Sequence, residues 1–163
     1  MEKKFGAFDT IEELNRAAAA QLKEGDEEAL FALAEENGLE KDDVLDYMDG
    51  IAEVLASPLM AAMGKIKLEQ EELKCEGFLK DCADSVITEC MESEEMCHAV
   101  FRNDRSLSGY MGALLKYAFD NKIRIDDRIV KAAKLNPPVY LGIPGREEVQ
   151  RIIREYYLGV KRP

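Results

Sequence analysis

The segment Ser106–Asn121, SLSGYMGALLKYAFDN, predicts the helix around which the rest of the chain is organised. Its apolar residues recur at the i, i+3, i+4 spacing of a single helical face: Leu107, Tyr110, Met111, Leu114, Leu115 and Ala118. Ser106 is a suitable N-cap, because its hydroxyl can accept a hydrogen bond from an unpaired amide of the first turn. Gly109 and Gly112 share a face, and the missing side chains there would let a second backbone approach closely. We therefore expect a core helix.

Capping residues and glycines divide the first 50 residues into three short helices. Thr10 begins the first helix, where Glu13 completes a capping box, and Asp26 begins the second. Each helix ends at a glycine: Gly25, Gly38 and Gly50. The third carries four aspartates in a helical pattern that lacks the loop spacing of a calcium site: Asp42, Asp43, Asp46 and Asp49. We predict that residues 1–50 form an acidic short-helix unit.

The remainder, residues 51–163, predicts a helical core domain. The helical pattern continues through residues 51–56, and Ser57 and Pro58 then cap and open a longer helix. That helix is expected to bury Leu59, Ala62, Met63 and Ile66. The clearest apolar stripe of this region follows: Leu79, Cys82, Ala83, Val86, Ile87, Cys90 and Met91. A last helix places its apolar residues on one face: Val149, Ile152, Ile153, Tyr156 and Tyr157.

The segment between residues 123 and 143 fits two interpretations. Ile123 and Ile125 alternate with charged residues as in a strand, whereas Asp126 is suited to cap a short helix. Two consecutive prolines, Pro137 and Pro138, then break the pattern. The predicted fold class is mostly α: a multi-helix bundle with an N-terminal group of short helices, with a short β element around residues 123–143 left open.

Composition and residue types exclude several classes of protein. Apolar residues make up 47% and charged residues 34% of the chain, as in a globular protein. No apolar run approaches the ~20 residues of a membrane span, and the first ten residues lack a signal core, so we expect a cytoplasmic protein. The cysteines are too widely spaced to converge on zinc: Cys75, Cys82, Cys90 and Cys97. With His98 the only histidine, we predict no catalytic residues, metal or cofactor.

Charge is distributed unevenly along the chain. Residues 1–100 hold 26 acidic and 9 basic residues (net −17), and residues 101–163 hold 7 acidic and 13 basic residues (net +6). Two solvated faces that attract each other within the fold would explain this division, and two partner-binding surfaces are the alternative. The acidic candidates are the four aspartates of the third helix. The basic candidates, for a protein or nucleic-acid partner, are Lys122, Arg124, Arg128, Lys131, Lys134, Arg151 and Arg154.

Three features of the C-terminal half carry a resemblance to a known family. They are the helix Met96–Phe101, the cap Arg105-Ser106-Leu107 with the tyrosine helix from Tyr110 to Ala118, and a terminal helix that ends in the pair Tyr156-Tyr157. In these features the chain resembles the PcfK-like proteins of conjugative and other mobile elements. A branch of that family comprises type II-A anti-CRISPR proteins. The resemblance covers roughly residues 80–160.

The resemblance implies a non-catalytic protein that inhibits a type II RNA-guided DNA nuclease by stoichiometric binding. The acidic half could occupy the positively charged channel that holds target DNA, and the basic half could contact guide RNA or DNA on the effector complex. The first alternative is an accessory protein of conjugative transfer that acts through protein–protein contacts. The second is an interaction module that forms a homodimer through the glycine-bearing helix.

Overall fold

The computed structural model describes residues 4–159, so the ends of the two predicted domains, residues 1–3 and 160–163, lie outside the described residues. The described chain is mostly helical, which confirms the predicted fold class. Its helices are α1 (Ile11–Glu24), α2 (Glu27–Glu36), α3 (Lys41–Met48), α4 (Pro58–Leu73), α5 (Phe78–Glu92), α6 (Glu94–Phe101), α7 (Leu107–Asp120), α8 (Asp127–Ala132) and α9 (Arg146–Leu158). Two short strands, β1 (Ile123–Arg124) and β2 (Tyr140–Leu141), form one antiparallel pair. No described helix has both the length and the apolar character that a membrane span requires.

Contacts divide the chain into two compact units, here called unit 1 (Met1–Ser108) and unit 2 (Gly109–Pro163). The predicted domain boundary after residue 50 does not coincide with this division and stays a prediction. Unit 1 contains 27 acidic and 11 basic residues, a net charge of −16. Unit 2 contains 6 acidic and 11 basic residues, a net charge of +5. The charge asymmetry of the sequence therefore follows the structural division.

Helices α1 and α2 begin at the predicted caps, and α1 ends at the predicted glycine, whereas Gly38 and Gly50 each follow the C-cap residue of their helix. The Thr10 hydroxyl accepts a hydrogen bond from the Glu13 amide at 3.1 Å, and the Asp26 carboxylate accepts one from the Ala29 amide at 3.0 Å. Gly25 ends α1 in the left-handed region, with φ 72°. Such local signals are legible in the sequence, because a cap is formed by residues three apart.

The core of unit 1 joins the three short helices to the start of α4 and the end of α6. One cluster of buried residues makes this connection: Ile11, Leu14, Ala18, Leu30, Leu33, Ala34, Val44, Tyr47, Leu55, Ala56, Ala61 and Phe101. At one point the end of α2 meets α4 with backbone against backbone. A Cβ atom on Gly64 would overlap the Asn37 carbonyl, and one on Gly38 would overlap Gly64. Glycine at positions 38 and 64 is what permits this crossing.

Several helical and inward-facing predictions for unit 1 are wrong. Residues 51–56 form bends, because the amides of Ile51 and Ala52 both donate to the carbonyl of Asp46. Helix α4 packs through small residues, so Ala61 and Gly64 are buried while Met63 is exposed. Four other apolar residues expected inside are exposed or only half-buried: Leu59, Leu79, Ile87 and Met91.

Unit 2 is built on α7 and α9. Tyr110 and Leu114 of the predicted stripe are buried, but Leu115 is exposed, so its inward placement was wrong. The ring of Tyr156 lies against Gly109, whereas nothing lies within 4 Å of a Cβ built on Gly112. A tyrosine side chain, rather than a second backbone, therefore occupies the glycine face. Tyr157 extends this contact, with its ring centroid 6.2 Å from that of Tyr110.

Both interpretations of residues 123–143 are correct, for different parts of the segment. Ile123 pairs with Leu141 and Arg124 with Tyr140, and α8 lies between the two strands in sequence. Asp126 caps α8 by accepting a hydrogen bond from the Arg128 amide at 2.8 Å. After β2, Gly142 lies so close to the Ala118 carbonyl that a Cβ there would overlap it. The two-stranded sheet is thereby held against the end of α7.

Candidate partner-binding site

The four candidate aspartates lie on α3 and at its end. Asp42 and Asp43 occupy the first turn, where negative charge stabilises the helix dipole. Asp43 is half-buried and accepts a hydrogen bond from the Glu40 amide at 3.0 Å, so its carboxylate completes the N-terminal cap. Asp46 and Asp49 are exposed, as is Asp42. Three of the four predicted residues are therefore accessible to a partner, and the fourth has a structural role.

Exposed apolar side chains accompany these carboxylates. Leu45 lies on the same face of α3 as Asp42 and Asp49, at spacings of three and four residues. The bend after α3 adds two more apolar side chains, Ile51 and Val54, of which Ile51 is 75% exposed. We call this group of exposed residues the α3 patch and define it by Leu45, Ile51 and Val54 with Asp42, Asp46, Asp49 and Glu53. Exposed apolar side chains among charged ones are typical of protein–protein interfaces.

Three arginines of the basic set, Arg124, Arg128 and Arg151, form ion pairs with neighbouring acidic side chains. The Arg128 guanidinium forms two hydrogen bonds with Asp126, at 3.0 and 2.9 Å, which lower the pKa of Asp126. Arg124 lies 3.3 Å from Asp127. Arg151 lies 2.6 Å from Glu148 and 2.9 Å from Glu155, and hydrogen bonds to these carboxylates raise its pKa. A nucleic-acid phosphate would have to compete with these carboxylates.

The other basic candidates are spread over three elements. Lys122 follows α7, and its Nζ lies 4.6 Å from the centroid of the Phe119 ring. Lys131 is in α8 and Lys134 follows it, both exposed, and Arg154 is exposed on α9. The basic set was predicted from the excess of basic residues in the C-terminal part of the sequence. For Arg124 and Arg151 the neutralising acids, at i−3, i+3 and i+4, were also legible there, whereas Asp126 is two residues before Arg128.

A half-buried ion pair on α4 was not predicted from the sequence: Lys65 Nζ lies 3.9 Å from Glu69 Oε1. Lys65 Nζ donates to the carbonyls of Val100, Arg102 and Arg105 at 2.8, 2.6 and 2.7 Å. Glu69, one turn further, accepts a hydrogen bond from the Leu107 amide at 2.5 Å. Burial lowers the pKa of Lys65 and raises the pKa of Glu69. The pair lines a cavity of about 240 Å³ within unit 1 and fixes the loop between α6 and α7.

The cysteines are packed as small apolar residues. Cys82, Cys90 and Cys97 are buried, as expected for the first two, and the Cys97 thiol donates to the Cys90 carbonyl at 3.1 Å. Burial raises the pKa of all three thiols, so they are protonated at neutral pH.

His98 lies 3.8 Å from Glu12 and 3.6 Å from Glu94. Within residues 4–159, no group of three cysteine, histidine or carboxylate side chains is placed to hold a metal ion.

Comparisons of the chain with protein-family models, with curated proteins and with solved structures give no match. The resemblance to the PcfK-like proteins therefore rests on the three motifs quoted from the sequence. In the structure these motifs correspond to α6, α7 and α9.

Proposed function

We propose that this chain is a non-catalytic anti-CRISPR protein, which inhibits a type II RNA-guided DNA nuclease by binding the effector complex. The proposal starts from the PcfK-like resemblance of α6, α7 and α9. The observation that carries it is the accessible negative charge of α3, in a unit whose net charge is −16. Within residues 4–159, Asp42, Asp46 and Asp49 form no ion pair with a basic side chain.

A contrast in ion pairing supports occupation of the DNA channel over contact with nucleic acid. Three arginines of unit 2 are held by intramolecular carboxylates, whereas the exposed α3 aspartates have no basic ion-pair partner within residues 4–159. A positively charged channel built to hold target DNA would attract the free carboxylates. Attraction of this kind mainly raises the association rate, and packed contacts then determine how long the complex lasts. Leu45, Ile51 and Val54 would supply such contacts.

The test is inhibition of target cleavage by a guide-loaded type II effector, measured at two salt concentrations. The triple variant Asp42→Asn, Asp46→Asn, Asp49→Asn should associate roughly tenfold more slowly at low salt, and high salt should reduce the difference. The matched control is Glu71→Gln, Glu72→Gln, Glu76→Gln, which removes the same charge from exposed positions at and after the end of α4. The control should inhibit as wild type does.

A second set of variants tests nucleic-acid contact by the basic residues: Arg124→Ala, Arg128→Ala, Lys131→Ala and Lys134→Ala. If only this set loses inhibition, the channel-occupation mechanism is wrong and contact with guide RNA or DNA takes its place. A wild-type chain that inhibits no type II effector would refute the proposed function.

The second candidate function is an accessory protein of conjugative transfer that works through protein contacts. The exposed apolar side chains of unit 2 favour it, because Phe119 and Ile143 are 69% and 74% exposed. Such side chains suit a protein partner better than a nucleic-acid partner. Binding to a component of a transfer complex, with no effect on nuclease cleavage, would support this candidate.

A further inference from the structure

Two adjoining cavities lie in unit 1 where the end of α2 crosses α4. The smaller is the cavity of about 240 Å³ described above, and the larger has a volume of about 610 Å³. They adjoin because they share Glu36, Leu68 and Glu72, and Gly38, whose backbone meets Gly64, lines the larger one. We call the two cavities together the acidic groove, after the carboxylates that line it: Glu35, Glu36, Glu69, Glu71 and Glu72.

Three basic side chains also line the acidic groove, and each is already engaged. Lys67 Nζ lies 2.7 Å from Glu40 and the Arg105 guanidinium lies 3.7 Å from Asp104, and neither of these acids lines the groove. Lys65 donates to three backbone carbonyls. Within residues 4–159, the groove carboxylates outside the α4 ion pair form no ion pair with a basic side chain. The groove therefore has an excess of negative charge.

A buried acceptor without a donor belongs to Glu69, which lines the smaller cavity. Its Oε1 atom has no hydrogen-bond partner within residues 4–159, because Lys65 Nζ, at 3.9 Å, is beyond hydrogen-bond distance. Burial raises the pKa of Glu69, and the nearby charge of Glu72 acts in the same direction. Folded proteins leave few buried acceptors unpaired. A cationic N–H donor in the cavity would satisfy the oxygen and compensate the charge of both carboxylates.

Apolar side chains line the same groove. Phe8, Leu68 and Phe101 line the smaller cavity, and Leu39 lines the larger one. A guanidinium group packs well on aromatic rings and can donate hydrogen bonds to several carboxylates at once, while its methylene stem packs on apolar side chains. An ammonium group is a compact charge that is more strongly hydrated. The lining therefore suits arginine better than lysine.

We propose that the acidic groove binds an arginine-bearing segment of a partner protein. One guanidinium group enters the smaller cavity and donates to Glu69 and Glu72. A second arginine of the same segment pairs with Glu35 and Glu71 in the larger cavity, and the leucines of the groove contact the segment between them. Complementary charge selects this occupant. The groove shares no residue with the α3 patch, so the inference is independent of the proposed nuclease target.

The first experiment measures the binding of a synthetic peptide to the full chain by isothermal titration calorimetry. The probe is a capped pentapeptide with arginine at its second and fourth positions and leucine between them. The matched control peptide carries citrulline in place of both arginines, which keeps the shape of the side chain and removes its charge. The arginine peptide should bind at least roughly tenfold more tightly than the citrulline peptide at low salt, and high salt should reduce the difference.

Variants of the chain then locate the binding. Glu71→Gln with Glu72→Gln removes two exposed carboxylates of the groove, and Glu69→Gln removes the half-buried one. Each should lower the preference for the arginine peptide over the citrulline peptide by about tenfold, whereas a variant with only a folding defect would lose both peptides equally. The control is the triple aspartate variant of the α3 patch, which removes more charge from the same unit and should bind the arginine peptide as wild type does. Thermal unfolding checks that each variant is folded.

Several results would overturn the inference. One is the absence of binding by the arginine peptide at ~1 mM. Another is equal binding of the arginine and citrulline peptides. Wild-type binding by either groove variant would place the peptide elsewhere, and weaker binding by the α3 control would indicate unspecific attraction to an acidic unit. Spermidine that binds more tightly than the peptide would assign the groove to a small polyamine. A preference for arginine that falls only in the groove variants would support the inference.

Discussion

Leu114 and Leu115 are neighbours on α7 but have opposite environments, with exposed fractions of 4% and 72%. Consecutive residues on a helix point about 100° apart, so one of the two leaves the core as the other enters it. We predict that Leu114→Asp destabilises the fold by several kcal/mol (~3 or more), because a charge without a partner would replace a buried side chain.

Leu115→Asp is the matched control, since the same change occurs one residue away at an exposed position. It should alter the free energy of unfolding by less than about 0.5 kcal/mol. Chemical denaturation of both variants measures the difference. Equal effects would show that the buried face of α7 has been assigned incorrectly.

The backbone crossing at Gly64 gives a second matched pair. Gly64→Ala should lower the free energy of unfolding by about 1–3 kcal/mol, because the new Cβ would overlap the Asn37 carbonyl. Gly112→Ala should instead raise it by roughly 0.5–1 kcal/mol, since that position is open and alanine favours a helix. Thermal unfolding of the two variants should therefore show shifts of opposite sign. Shifts of the same sign would contradict the close crossing of α2 and α4.

A comparison of the helix caps with the crossing at Gly64 shows which parts of the structure are legible in the sequence. The caps at Thr10 and Ser57 were predicted correctly, because the donor and acceptor of a cap lie within one turn. The tight approach of Gly64 to Gly38 was not predicted, since it joins residues from two helices separated in sequence. Burial on α4 follows this approach and not the apolar stripe, which explains the error at Met63.

The candidate site was predictable to a similar extent. The α3 aspartates were found as a group, because one short helix carries them all. The apolar part of the α3 patch was not predicted, because residues 51–56 were expected to continue as a helix. Instead, the amides of Ile51 and Ala52 donate to the carbonyl of Asp46. The role of Lys65 could not be predicted either, because the three carbonyls that it contacts lie 35 to 40 residues further along the chain.

Lys65 provides the third prediction. Lys65→Met keeps most of the apolar stem but removes the donor to the three carbonyls, so the protein should lose about 1–3 kcal/mol of stability. Hydrogen exchange should become faster in the loop from Arg102 to Ser106, because Lys65 ties this loop to α4. Lys67→Met is the control: it breaks an exposed ion pair with Glu40 and should cost less than about 1 kcal/mol. Unchanged exchange in the loop would argue against this role of Lys65.

Glu69 gives a prediction about pH. Burial raises the pKa of Glu69 above its ordinary value of 4.5, although the Leu107 amide and the Lys65 ammonium act in the opposite direction. A carboxyl group whose pKa is higher in the folded state binds more protons there than in the unfolded chain. Its stabilising contribution is therefore complete below about pH 4.5 and is lost as the pH rises through the pKa of the folded state.

Glu69→Gln removes this titration and keeps the size of the side chain. The free energy of unfolding of wild type relative to the variant should therefore fall as the pH rises above 4.5. Urea denaturation of both proteins between about pH 4 and pH 7 measures it. In a Lys65→Met background the decline should extend to higher pH, because loss of the ammonium raises the pKa of Glu69 further. A relative stability that increases with pH would mean that the hydrogen bond from Leu107 and the charge of Lys65 outweigh the burial of Glu69.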